Sequence, residues 1–308
     1  MLGSTVVAAI AAVLTPGEVV FVDVAAFQEV RRVALGAEGA ALFAAPDGRF
    51  VVPLAGEDAT LLVSPVVETE RWKGRVFPIF SREFDRMYVF LPGTLKTLTY
   101  PERVPIDDLP VEDLVGIRRA ACSWTGRLVA VVPDGDGGKA LVMMTPGAAG
   151  GASRIGMPDL PESVAVEPRA EWVAAGLRDG RVVAIGVGRT QPAIGVGLGA
   201  PVRALATSAD GRWLFAGIGD ETSGWVVGLR VTPTSAEPVK EMFRTPTLSA
   251  PVAVAAFDRT VLVLTGTGLH ELTKHGKRLE RSLELDGGRS LALMVEHPRT
   301  AVPAWSDR

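Results

Sequence analysis

Arg118, Glu162 and Arg203 are the side chains of this sequence best placed to do chemistry together. They recur about every forty residues, and each stands at the same distance before a recurring turn. Each opens a short apolar segment, so the three occupy the start of the same strand in successive repeats. A guanidinium can grip a carboxylate through two parallel hydrogen bonds, and two arginines beside one glutamate leave a local positive excess. Two readings follow. The charges pair with one another along a rim, or they form a mouth receptive to an anion. Arg75 and Arg289 lie close to the equivalent places in two further repeats.

The remaining reactive residues do not assemble into a site. His270 lies in strand-like Gly268–Leu272, His275 in the hairpin turn 274–277, and His297 beside Pro298. A zinc or haem site needs convergent ligands, and these three point to different places. Cys122 is the single cysteine, so no internal disulfide forms, and its strand setting predicts a buried, inert thiol. Asp107-Asp108 and Glu112-Asp113, in a segment marked by Pro105 and Pro110, read as solvated residues of an exposed connection rather than a general acid/base pair. The loop 133–138 lacks the spacing and terminal glutamate of a calcium loop, and 146–152 lacks the Gly-Lys-Ser/Thr of a phosphate cradle. Gly186-Val187-Gly188 and Gly195-Val196-Gly197 are followed by no helical pattern, and no Gly-x-Ser-x-Gly elbow occurs. No catalytic residue, metal ligand or cofactor site is expected.

The elements that position the three charges are repeats. A small or polar residue, then roughly Asp-Gly-Arg, then an apolar strand, recurs along the chain. The clearest copies begin at Ala45, Ser123 and Ser208, with weaker ones at Arg82, Glu167, Phe257 and His297. Asp-Gly supplies the positive φ that tight hairpins need. Inner strands are expected to begin near Ala41, Val76, Arg118, Ser163, Val202, Val252 and Ser290. The copy from Val202 reads as four strands, at 202–207, 213–218, 225–231 and 239–243. Four short strands per repeat at this period predict an all-β fold, a seven-bladed β-propeller with four-stranded antiparallel blades. The N-terminal strands and the last inner strand read as halves of one blade, which closes the ring and removes its open edges. One propeller domain over residues 1–308 is expected. Trp172 and Trp213 occupy one repeat position and read as packing between blades.

Composition fits this architecture. The 308 residues are 47% hydrophobic and 22% charged, with 32 basic and 35 acidic residues and a net charge of −3. There is no basic stripe for a phosphate backbone, so no nucleic-acid partner is expected. The apolar stretch from Thr5 to Leu14 is too short to cross a membrane and has no Lys or Arg before it, so it reads as a strand rather than a leader or transmembrane segment.

Ser208-Ala209-Asp210-Gly211-Arg212-Trp213 resembles the Ser-Pro-Asp-Gly-Arg-hydrophobic signature of the bacterial YVTN/YncE-like and WD40-like propellers, and Ala45–Arg49 fits it as well. Val20–Val24 followed by Glu29–Val33 resembles the family's third and outer strands. The literal Tyr-Val-Thr-Asn motif and the Gly-His and Trp-Asp pairs are missing. The resemblance implies a propeller, and a periplasmic or cell-surface location, but no single activity, since similar folds serve lactonases, haem-d1 carriers, surface antigens and scaffolds. The expected function is a non-enzymatic binding or scaffold propeller with a protein partner or a small anionic ligand. Two alternatives stay open: a lactonase-like hydrolase with its site at the channel mouth, and a sensor propeller module of a larger protein.

Overall fold

The repeated turn shows how local chemistry sets the blade geometry. The structure, a computed structural model, describes residues 9–81, 86–91, 93–110, 120–133, 139–144, 152–186, 195–220, 222–232, 239–257, 260–273 and 281–295. At the first copy the Arg49 amide donates to Asp47 Oδ1 at 3.1 Å, and Gly48 takes a φ of 85°. The Gly48 amide closes the turn on the Ala45 carbonyl. Gly126 and Gly211 do the same on Ser123 and Ser208. Ala170 stands at this position in the fourth such turn, with a φ of 62° on a side chain that disfavours it. There Glu167 replaces the small residue, and its Oε2 accepts from the Arg169 and Glu171 amides at 2.8 and 3.0 Å.

Seven four-stranded antiparallel sheets result, and the described residues contain no helix. Their inner strands are Phe43–Ala44, Pro78–Ser81, Ala120–Cys122, Pro161–Val166, Val202–Thr207, Ala253–Phe257 and Ser290–Val295. Each inner strand touches the next around the ring. We number the blades one to seven from the N-terminus. Blade one is composite: Ser290–Val295 is its inner strand and pairs with Ala9–Thr15, from Ala9↔Val295 to Leu14↔Ser290. Glu18–Asp23 and Gln28–Ala34 complete it, so the two ends of the chain share one sheet as expected. Residues 5–8 of the expected first strand lie outside the described residues.

The core explains why these strands are apolar on both faces. The buried side chains fall into seven clusters, each shared by two neighbouring blades. Phe21 of blade one and Phe50 of blade two, both fully buried, meet at a centroid distance of 5.5 Å. A side chain of that size contributes about 1.5–3 kcal/mol when removed from water. Trp172 is buried between blades five and six. Trp213 stacks on Phe215 at 6.3 Å beside the cluster of blades six and seven. Where second strands meet the next blade, side chains must vanish. A Cβ on Gly176 would lie 2.3 Å from Val202 Cγ1, and one on the equivalent Gly217 would lie 2.8 Å from Pro251 Cβ.

One expectation is corrected. Asp107 and Asp108 do not sit on a connection; Pro105–Pro110 is the outer strand of blade three, paired with Thr94–Thr99. Asp108 faces Lys96 at 3.7 Å across that pair. An outer strand has a free edge, so flanking prolines forfeit no ladder bond there. Glu112 and Asp113 lie outside the described residues.

Candidate functional site

The described inner strands start on one face of the ring, and those of blades two, four, five and six end at the recurring turns of the other. On the starting face, Glu162 and Arg203 occupy equivalent backbone positions. In blade five the pairing jumps from Pro161↔Leu177 to Ser163↔Gly176, so Glu162 has no partner of its own. In blade six it jumps from Val202↔Ile218 to Ala204↔Gly217, leaving Arg203 in the same state. Each is the extra residue of a β-bulge. A bulge breaks the alternation of the pleat and re-aims its side chain. Here it delivers two long polar side chains to the rim while the strand behind them stays apolar.

The two side chains line one concavity of about 510 Å³ with Arg178, Pro201, Ala250, Pro251 and Val252. Three successive blades contribute to it. Arg178, in the turn after the second strand of blade five, donates from Nε to Glu162 Oε1 at 2.9 Å. Arg203 donates from Nε to the Gly219 carbonyl at 3.0 Å within its own blade. Among the described residues no carboxylate pairs with Arg203. The remaining lining is apolar, with the prolines, Ala250 and Val252, which is 40% exposed. Beside them the Asp220 carboxyl is held below its ordinary range, first by the Thr222 amide and then by the Thr222 hydroxyl and the Ser223 amide.

Arg118, the third expected residue, lies outside the described residues. The structure brings the other two together and adds Arg178, Pro251 and Val252, which counting back from the turn does not reach. The Pro-Val step that recurs at Pro201-Val202 and Pro251-Val252 is the sequence signal that marks the apolar wall. Elsewhere on this face the rim charges differ in use. Arg289 is ion-paired with Glu38 across blades one and two. Arg75 lies over the Phe77 ring at 5.8 Å. A smaller hollow of about 290 Å³ is lined by Thr15, Glu18, Arg32, Glu284, Leu285 and Asp286. Its one guanidinium is already shared by Glu18 and Glu29 at 2.6 and 2.7 Å.

The other reactive groups are structural where described. His270 is buried; Nε2 lies 3.1 Å from Thr265 Oγ1 and Nδ1 3.0 Å from Ser282 Oγ. The Thr265 hydroxyl also reaches the Gly268 carbonyl at 3.2 Å, so both ring nitrogens are held by hydroxyl partners. Burial lowers its pKa. Burial also pushes the Cys122 thiol up to about 12. His275 and His297, the loop 134–138 and residues 146–151 lie outside the described residues. Among the described residues no cluster of three or more His, Cys, Asp or Glu side chains is arranged for a metal ion. No helix among them is long and apolar enough to cross a membrane.

No protein-family model matches the chain, and no curated protein matches it in sequence. Solved structures match the fold. A functionally unknown protein from Desulfotomaculum acetoxidans is similar with a TM-score of 0.69 at 10% identity, covering 94% of this chain and 99% of that one. AztD from Citrobacter koseri gives 0.66 at 7% identity over 95% and 99%. The Cps50 (Swd1) β-propeller domain of Myceliophteria thermophila gives 0.60 at 12% identity over 85% and 94%. At such identities the likeness establishes the seven-bladed propeller fold alone.

Proposed function

We propose that residues 1–308 form one non-enzymatic binding propeller of the YVTN/YncE-like kind, which holds a protein partner or a small anion at the mouth marked by Arg118, Glu162 and Arg203. The observation that carries the reading is the pair of equivalent bulges. Successive blades spend a ladder position each to bring Glu162 and Arg203 into one concavity. The Ser208–Ala216 signature supports the family placement. The cavity's size lies in the range of small-ligand pockets, with an apolar wall and few polar groups.

The test is a fragment screen of mixed charge and polarity against isotope-labelled protein, read by amide chemical shifts. Shifts are expected to cluster at Glu162, Arg178, Arg203 and Val252. Arg203→Ala and Arg118→Ala should each weaken the hits. Arg203→Ala should cost less than about 1 kcal/mol of stability, because Arg203 is exposed and its one described bond, to Gly219, lies within one blade. Hits that map elsewhere, or a loss of several kcal/mol in Arg203→Ala, would mark these residues as structural rim charges instead.

A further inference from the structure

We infer that the mouth takes a singly charged carboxylate carried on a small apolar group, a deepening that rests on the binding reading above. The charge of the lining residues points to a monoanion. Arg178 bonds Glu162, and Arg203 has no carboxylate partner among the described residues. A dianion such as phosphate would set two negative charges beside the Glu162 carboxylate. A carboxylate needs one guanidinium only.

The geometry of Arg203 selects the mode of grip. Its backbone is displaced by the bulge, and its Nε is already bonded to the Gly219 carbonyl. That bond fixes the plane of the guanidinium and uses up its side edge. The two Nη groups are left as an end-on fork, with no hydrogen bond to any described residue. Two parallel N–H donors at that spacing fit the two oxygens of a carboxylate. A lysine at this position would keep the charge and lose the fork.

The apolar lining defines what the carboxylate is attached to. Pro201, Ala250, Pro251 and Val252 present no side-chain donor or acceptor, so a polar group against them would lose its water without recompense. An aliphatic group beside the carboxylate instead covers them. The shape is also pre-set. Pro251 is wedged against Gly217, where a Cβ would meet it at 2.8 Å, and the two prolines limit backbone freedom, so little ordering is needed on binding. A free aliphatic acid and the C-terminus of a peptide ending in a small apolar residue both carry this chemistry.

Titration calorimetry with four probes tests the inference: N-acetyl-alanyl-valine as the free acid, the same dipeptide as its C-terminal amide, hexanoate, and inorganic phosphate. The free acid should bind at least tenfold more tightly than the amide, and phosphate at equal concentration should not displace it. Tighter binding of the dipeptide acid than of hexanoate identifies a chain terminus as the source, and the reverse order a free aliphatic acid. Arg203→Lys should cost the acid about tenfold and leave the amide unchanged, and Val252→Asn should weaken both acids. An amide that binds as well as the acid, displacement by phosphate, or no binding of either carboxylate would overturn the inference. The fragment screen separates the two levels. Hits at the mouth that prefer amides or phosphates remove the carboxylate and keep the site, whereas no hits at the mouth remove both.

Discussion

Replacing Gly211 by alanine tests whether the turns of neighbouring blades are locked together. Gly211 has a φ of +66°, and a Cβ there would lie 2.1 Å from Glu167 Oε1 in the turn of blade five. The backbone term is about 1–2 kcal/mol for an L-residue in the left-handed region. The steric term depends on whether Glu167 can yield. Its side chain is flexible, but it is only 4% exposed and its other oxygen holds two backbone amides. Retreat by more than an ångström breaks at least one of these bonds, at about 1.5–3 kcal/mol for a charged acceptor. The sum is about 2.5–5 kcal/mol. Gly36→Ala supplies the control, since its φ is +72° with nothing within 4 Å of the added Cβ, and it should cost the backbone term alone. Urea unfolding followed by tryptophan fluorescence measures both. In a Glu167→Ala background, Gly211→Ala should fall to the cost of the control. Equal losses for Gly211→Ala and Gly36→Ala, or a cycle with no coupling, would refute the locked-turn argument.

Three further outcomes follow from named contacts. Arg281 of blade seven bonds Glu271 through Nη2 at 2.8 Å and the Ala25 carbonyl of blade one at 2.7 Å. Because Glu271 is buried, Arg281→Ala should cost about 2–3 kcal/mol in urea unfolding, against less than about 1 kcal/mol for the exposed pair broken by Arg32→Ala. His270 has a folded pKa below its unfolded value of 6.5, so the unfolded chain binds more protons in that window. Stability is therefore full above pH 6.5 and lost as pH falls through the folded value, and His270→Gln should flatten the dependence of the melting temperature between pH 7 and 5. Deleting the chain from Arg289 onward removes the inner strand of blade one and exposes the edge of Ala9–Thr15; size-exclusion chromatography should show association rather than a slightly smaller monomer.

The repeat was legible because its turn has a chemical requirement. Gly48, Gly126 and Gly211 all take positive φ, so a glycine recurs at three of the four described turns and Ala170 bears the same φ at the fourth. Expected inner-strand starts at Val202 and Ser290 coincide with the observed ones, and those at Ala41 and Val76 fall just before Phe43 and Pro78. Glu162 and Arg203 were legible for the same reason, since the bulge sits a fixed distance before the turn. Arg178 and the Pro251-Val252 wall were not. They come from a hairpin and an inter-blade connection whose lengths vary from blade to blade, so only folding relates them to the bulges. Asp107 and Asp108 misled because prolines suggest a loop, while an outer strand tolerates them.

The two faces of the ring differ in what their residues are already doing, and this bears on where a ligand belongs. On the turn face, blade grips blade. The Ser81 hydroxyl donates to the Trp124 carbonyl at 3.1 Å, the Trp124 amide to Pro168 at 3.0 Å, and Thr207 to Val166 at 3.2 Å. Tyr100 donates to Asp47 at 3.0 Å from the next blade. Ser81, Thr207 or Tyr100, recruited for binding, would first have to leave a partner in the neighbouring blade. On the starting face the bulges lift Glu162 and Arg203 clear of the sheet pairing, and their described bonds, to Arg178 and to Gly219, stay within single blades. Changing them does not loosen a described bond between blades. The proposed site thus uses side chains whose described bonds can change without breaking one of the described contacts that join the turns of neighbouring blades.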